Sequence, residues 1–216
     1  MTNPQNSVPL TLSDAGDAQP AWITLLTTEH YNLQTQRAAT IGEANGRASI
    51  FIGALSAGLI ALGFQGTGRA AGTVTFQILV LTSLAFLGVV TFLRCVEISI
   101  DDWQFAGRIT KLRATYIQLV PRLAELLLAA TGAEQATAML TQRRQPFQMM
   151  LSVAGSIGVI TSIVIGADAG VAVYGCHAPL VLAILCGAAI GVAAIIASGR
   201  FQQNRWKGAA SESRVS

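Results

Sequence analysis

Four stretches of this chain carry no Asp, Glu, Lys or Arg: residues 48–68, 70–93, 145–167 and 169–199. The first three are 21 to 24 residues long, and a helix needs about 20 residues to cross a hydrocarbon core. The fourth is longer and is divided at "GCHAP", where Pro179 suits the first turn of a helix that follows a loop. The pattern predicts four spanning helices, at 48–64, 74–93, 149–167 and 180–198. The competing interpretation is a soluble protein with four buried helices. It fails because 216 residues leave too little amphipathic surface to wrap four such runs.

The polar positions are arranged as regularly as the apolar ones. The stretch "EHYNLQTQRAATIGEANGRASIF" leads into the first span without a proline. Pro20 sits where a first helical residue tolerates it, ahead of Trp22, Ile23, Leu25 and Leu26. Gly42 and Gly46 weaken a helix by about 1 kcal/mol each relative to Ala without enforcing a break. Residues 20–47 are therefore expected to form one helix continuous with the first span. The exit from the second span mirrors this. "LRCVEISIDDWQFAGRITKLRATYIQLV" places Val96, Ile100, Trp103, Ala106, Ile109, Leu112, Tyr116, Leu119 and Leu123 at steps of three and four. Such a seam packs helix against helix, as in a coiled coil. The opposite face carries Glu97, Asp101, Asp102, Arg108, Lys111 and Arg113. A flat interfacial helix would present a mainly basic polar face; the mixed charges favour an arm that stands away from the membrane.

The expected fold class is thus all-α: an integral membrane protein with four transmembrane helices, the first two extended into the cytoplasm as a helical hairpin. The cytoplasmic helical region covers 94–147, with shorter helices after Pro121 broken near Thr131 and Gly132. Residues 1–19 lack both the basic start and the apolar core of a secretory signal and read as disordered. The first span is then expected to be an internal signal-anchor.

Composition agrees with that pattern. The chain is 52% hydrophobic and 12% charged, against about 25% charged in a soluble domain, with a mean hydropathy of +0.52. Every Lys and Arg except Arg69 lies in the N-terminal segment, the central segment or the tail. Arg47, Arg94, Arg143, Arg144 and Arg200 mark the ends of the spans. Basic residues stay cytoplasmic, so both termini, the central segment and the basic tail at 199–216 are expected inside. The short loops at 65–73 and 168–179 are expected outside. The pI near 9.0 reflects these topology-setting residues and contact with lipid headgroups, not nucleic acid. Twelve Arg against two Lys, with much Ala and Gly, point to a bacterial chain and hence the bacterial plasma membrane.

Candidate chemistry is sparse. No charged side chain falls in the middle of any of the four spans, and charge-coupled transporters place theirs there. Pores lined by Ser, Thr, backbone or an apolar ring remain open to it. Small residues recur at four-residue spacing: Ala54 and Gly58, Ala154 and Gly158, and Ala183, Gly187 and Gly191. Such faces let helices approach closely, either within one subunit or between copies. Three cysteines make no disulfide framework. Cys176 is expected as a free thiol, with an intermolecular bridge as the alternative. His30 and His177 fall on opposite sides of the membrane, and no HExxH, CxxC or Walker A run occurs. The glycines of "GFQGTGRAAG" make a turn. Neither catalysis, cofactor nor metal is expected.

A polar helix entering span one, a short outer turn and a long helix leaving span two resemble the bacterial SLATT-type membrane proteins. The resemblance rests on "TEHYNLQTQRAATIGEANGRAS" and "LRCVEISIDDWQFAGRITKLRATY" and covers about residues 25–130. It implies a membrane effector of nucleotide-signalled defence that acts by pore formation or membrane disruption. The chain departs from simpler members by its second hairpin, spans three and four. Two functions follow as expectations. One is a homo-oligomer that forms or gates a pore, with cytoplasmic helices for assembly or signal input. The other is a non-conducting anchor that recruits a cytoplasmic protein. An enzyme on lipid substrates has no supporting constellation.

Overall fold

A computed structural model describes residues 15–65, 70–119 and 152–212. Those residues are helical almost throughout and contain no strand. They form α1 (Ala15–Gln65), α2 (Ala71–Leu119), α3 (Val153–Gly175) and α4 (Leu180–Glu212). All four are long and apolar enough to cross a membrane. At 1.5 Å per residue α1 and α2 are each about 75 Å long, more than twice a hydrocarbon core of about 30 Å.

The order of packing follows the chain: α1 lies along α2, α2 along α3, and α3 along α4. The α1–α2 register is antiparallel and is read from Arg37 beside Asp102, Glu43 beside Arg94, and Gly58 against Leu84. It brings two buried side chains of the polar arms, Leu33 and Ile109, to the same level.

Two buried clusters hold the helices together. Phe51 of α1 meets Phe92, Cys95 and Val96 of α2 and Ala154 and Ile157 of α3, with Ala48, Leu87, Ile100 and Ile160 around them. The second cluster, nearer the α1–α2 turn, joins Leu81 and Leu84 to Val164, with Ala54, Leu55 and Val171 alongside. Phe51 and Val96 are wholly buried. By contrast Ile52, Leu59, Phe64, Phe86, Ile163 and Ile184 point outward.

Several boundaries differ from the sequence-based expectation. α1 begins at Ala15, so the expected disorder of 1–19 does not extend over 15–19, and Pro20 lies within the helix. α3 starts at Val153, where Ser152 caps it by accepting a hydrogen bond from the Gly155 amide at 3.1 Å. It runs on to Gly175, so the connection expected at 168–179 contracts to the four residues before Leu180. Beyond Ala167 the tract "GADAGVAVYG" still packs closely, Gly170 on Ala183 and Gly187 of α4 and Gly175 on Val74 of α2. α4 continues as helix through most of the expected tail, to Glu212. The turn closes with Cys176 and His177 donating their amides to Ala172, Val173 and Tyr174. His177 adopts φ 65°, the left-handed conformation that relieves the helix end at an intrinsic cost to a side chain with a Cβ.

Candidate functional site

The small residues that the sequence singled out all lie at contacts inside the chain. Gly58 faces Leu84, with the nearest side-chain atom 2.6 Å from where its Cβ would stand. Ala54 sits beside that cluster, Ala154 is buried under Phe92, and Gly158 faces the Phe92 ring and the Ser198 hydroxyl. Ala183, Gly187 and Gly191 line the α3–α4 crossing. Their partners, Gly166 and Gly170, escaped the sequence reading. A Cβ on Gly166 would stand 2.7 Å from the Gly187 carbonyl oxygen, and one on Gly187 would stand 2.7 Å from that of Gly166. Ala154, Gly158, Ser162, Gly166 and Gly170 repeat every four residues, and that signal was legible.

The seam on α2 is likewise occupied within the chain. Val96 and Ile109 are buried, and Ile100, Trp103, Ala106 and Leu112 are half-buried. Tyr116 and Leu119 have no described side chain, and Leu123, Arg143 and Arg144 lie outside the described residues. α4 covers the second side of α2: Phe201 meets Phe92 with ring centroids 6.2 Å apart, and Trp206 meets Trp103 edge-on at 6.1 Å. Ile98, which the seam omitted, is buried as well.

A chain of alternating charges runs across the same level. Arg47 donates to Glu43 at 3.0 Å, and Arg94 donates to Glu43 at 3.3 Å and to Glu97 at 3.2 Å. Glu97 also pairs with Arg205 at 3.8 Å. Arg200 is exposed nearby in sequence on α4. The hydrogen bond from Arg47, and then the nearby Arg94, hold the Glu43 carboxyl below its ordinary value of 4.5 despite partial desolvation. The Glu97 hydrogen bond, with Glu43 beside it, raises Arg94. Each pair is solvated and individually weak; their value is that they tie α1, α2 and α4 at one level. Further out, Arg37 of α1 donates to Asp102 of α2 at 2.9 Å, an interhelical contact that the sequence did not single out. Glu29, Asn32, Gln34, Gln36 and Asn45 remain on exposed helix surface.

The largest correction concerns Asp168. The sequence reading ended span three one residue before it and assigned it to the outer loop. In the structure it is on α3, seven residues before the helix ends. The Thr82 hydroxyl of α2 donates to its Oδ2 at 2.8 Å. Its Oδ1 is buried with no hydrogen-bond partner. Seven residues earlier on the same face, Thr161 turns its buried Oγ1 toward Gly88 of α2, again without a partner. A buried unsatisfied oxygen costs about 1–3 kcal/mol, so the α2–α3 interface carries two such polar positions amid Leu81, Ala85, Val164 and Val171. Asp168 is thus a charged side chain within an apolar helix, toward its end and not in its middle.

Other surfaces are plain. An open groove of about 590 Å³ follows the α3–α4 crossing and is lined by apolar and small side chains such as Ile163, Ala183 and Ile195 with Tyr174 at one end. Cys95 is buried, Cys176 exposed and Cys186 half-buried, all three as free thiols. Burial pushes the Cys95 thiol up, with Arg47 opposing that shift. No group of three His, Cys, Asp or Glu suited to a metal ion occurs among the described residues. The chain matches no protein-family model, no curated protein and no solved structure.

Proposed function

We propose that this chain is a multi-pass protein of the bacterial plasma membrane whose copies assemble to form or gate a pore. Its polar helical arms and both termini lie in the cytoplasm and serve assembly or signal input. The observation that carries the membrane part is the outward apolar surface on all four helices. Ile52, Leu59, Phe86, Ile163, Leu182 and Ile184 are large side chains exposed to the surroundings, and such a surface is stable in lipid rather than in water. Self-association is supported by α1. Only 6% of its most apolar window is buried within the chain, against 33% for α3, which leaves one whole side for lipid or for another copy. The resemblance to SLATT-type effectors supplies the pore and a nucleotide signal as part of the same proposal.

Planar-bilayer recording and dye release from liposomes test it with purified protein, with and without candidate nucleotides. Discrete conductance or leakage is expected. Silent, tight vesicles that contain correctly inserted protein would refute the pore. A second reading, a non-conducting anchor for a cytoplasmic protein, is favoured by one observation. Trp103, Trp206 and the Arg94–Glu97–Arg205 pairs close α2 and α4 into a fixed stalk. A monomer in native mass spectrometry that co-purifies with a soluble protein through residues 94–147 would establish that reading instead.

A further inference from the structure

We propose that Asp168 and Thr82 form a binding site for a small monovalent cation, H⁺ or Na⁺, at the edge of the α2–α3 interface and at the level of the apolar spans, where Thr82 is exposed and Asp168 half-buried. This rests on the reading that the four helices cross a bilayer. Asp168 lies seven residues from the outer end of α3, about 10 Å inside it at 1.5 Å per residue. Thr82 lies twelve residues from Arg94 on α2, about 18 Å from the charged inner level. The carboxyl is therefore well within the hydrocarbon, where ionisable groups are costly and mark pathways of ions and protons.

The geometry indicates which atom takes the cation. Oδ2 is engaged by the Thr82 hydroxyl at 2.8 Å, while Oδ1 is buried and unpartnered. A negative oxygen in that position is satisfied by a proton, giving the neutral acid, or by one dehydrated Na⁺. Among the described residues no Arg, Lys or His lies at this level to do so: residues 71–93 of α2 and 48–65 of α1 contain no charged side chain, and within α4 the titratable group of residues 180–199 is Cys186. On α3 the other titratable group is Tyr174, near its outer end. Thr161, 3% exposed and with an unpartnered hydroxyl oxygen, lies two turns further inward on the same face. It is the next oxygen along the α2–α3 interface, about 10 Å from Asp168.

The test is labelling of the full-length protein in liposomes with dicyclohexylcarbodiimide, a lipid-soluble reagent. The protonated acid adds its O–H across one C=N bond, and the adduct rearranges to a stable N-acylurea that mass spectrometry locates. Asp168 is expected to label, with at least a tenfold fall from acid to alkaline pH, and Asp168→Asn to abolish the adduct. Thr82→Val should keep the label and change its extent at a fixed pH, because the hydroxyl that occupies Oδ2 is gone. At constant pH and ionic strength, protection by Na⁺ but not choline assigns the site to sodium; labelling indifferent to Na⁺ assigns it to the proton. Protein retained in the bilayer after alkaline carbonate extraction, yet unlabelled at Asp168 at every pH, overturns the site. Labelling of Thr82→Val equal in extent to wild type at that pH overturns the role of Thr82. Protein released by carbonate overturns the membrane reading instead.

Discussion

Adding one methyl group at Gly187 should drive α3 and α4 apart. The new Cβ would stand 2.7 Å from the Gly166 carbonyl oxygen and 3.2 Å from the Gly170 Cα. Both are backbone atoms, so no side-chain rotation relieves the overlap. Ordinary contact begins near 3.4 Å, so the two backbones must separate by about 0.7 Å, the difference between 3.4 and 2.7. Overpacking of this kind costs about 1–3 kcal/mol. Gly166→Ala meets the Gly187 carbonyl at the same 2.7 Å and should cost a similar amount. The double variant should cost less than the two single values together, since one separation makes room for both methyls. Gly53→Ala is the control: nothing lies within 4 Å of its Cβ position, so the gain in helix propensity, up to about 1 kcal/mol, is left unopposed. Unfolding by SDS titration in mixed micelles, followed by tryptophan fluorescence, reads all four proteins. Gly187→Ala unfolding at the same SDS fraction as Gly53→Ala would refute the close α3–α4 approach. A variant that unfolds normally but no longer self-associates would move these glycines to a contact between copies.

Three further outcomes follow from the same geometry. Phe51→Ala empties the centre of the α1–α2–α3 cluster, where the ring is wholly buried, and should cost about 3–5 kcal/mol; Phe64→Ala, at 90% exposure, should cost almost nothing in the same titration. Because Arg47 and Arg94 depress the Glu43 carboxyl below 4.5, its contribution is fully present above that pH and is lost as pH falls through the depressed value. Wild type should therefore lose stability on acidification to pH 3 by more than Glu43→Gln does, and an identical pH profile for the two would remove Glu43 from the clamp. A membrane-impermeant maleimide applied from outside should modify the exposed Cys176, whereas the buried Cys95, its thiol raised by burial, should react only after unfolding. Labelling of Cys95 before Cys176 would invert the topology or open the core.

The helices were legible because each has a strong one-dimensional signal. Charge-free runs mark the apolar parts, and the three-and-four spacing from Val96 to Ile109 marks a face that is indeed covered. What covers that face was not legible. The sequence suggested α1 alone, whereas α4 also reaches α2 through Phe201 and Trp206, which are far from the seam in sequence. Their pairing requires α4 to continue as helix past Ser198, and a basic, polar tail gives no periodic signal of that. Asp168 was misplaced for a related reason. Ending a span at the first charge treats charge as a boundary, but a carboxyl that has a hydroxyl donor on the next helix can remain inside one. The small-residue spacing through Ser162, Gly166 and Gly170 runs past Asp168 on both sides, and it was the better guide to where α3 ends.

Asp168, through Thr82, and the charged clamp are joined by one continuous helix, α2. α2 carries Thr82 and, further along the same helix, Arg94, Glu97 and Trp103, with no proline or described break between them. α3 holds Asp168, and α4, tied to α3 along Gly166, Gly170, Gly187 and Gly191, carries Arg205 and Trp206 back to α2. A closed loop of contacts therefore runs from Asp168 through Thr82 along α2 to the clamp, and returns through α4 to α3. A shift of α2 against α3 at Thr82 would move the backbone at Gly88 against the Thr161 hydroxyl, where even one added methyl has no room. The interface cannot deform smoothly there, because close-packed surfaces tend to occupy discrete arrangements. Occupancy of Asp168 and the integrity of the clamp should consequently be linked. In a Glu97→Gln variant, which removes the partner shared by Arg94 and Arg205, the extent of carbodiimide labelling of Asp168 at a fixed pH should change. Unaltered labelling in a folded, inserted Glu97→Gln protein would show that the two sites act independently.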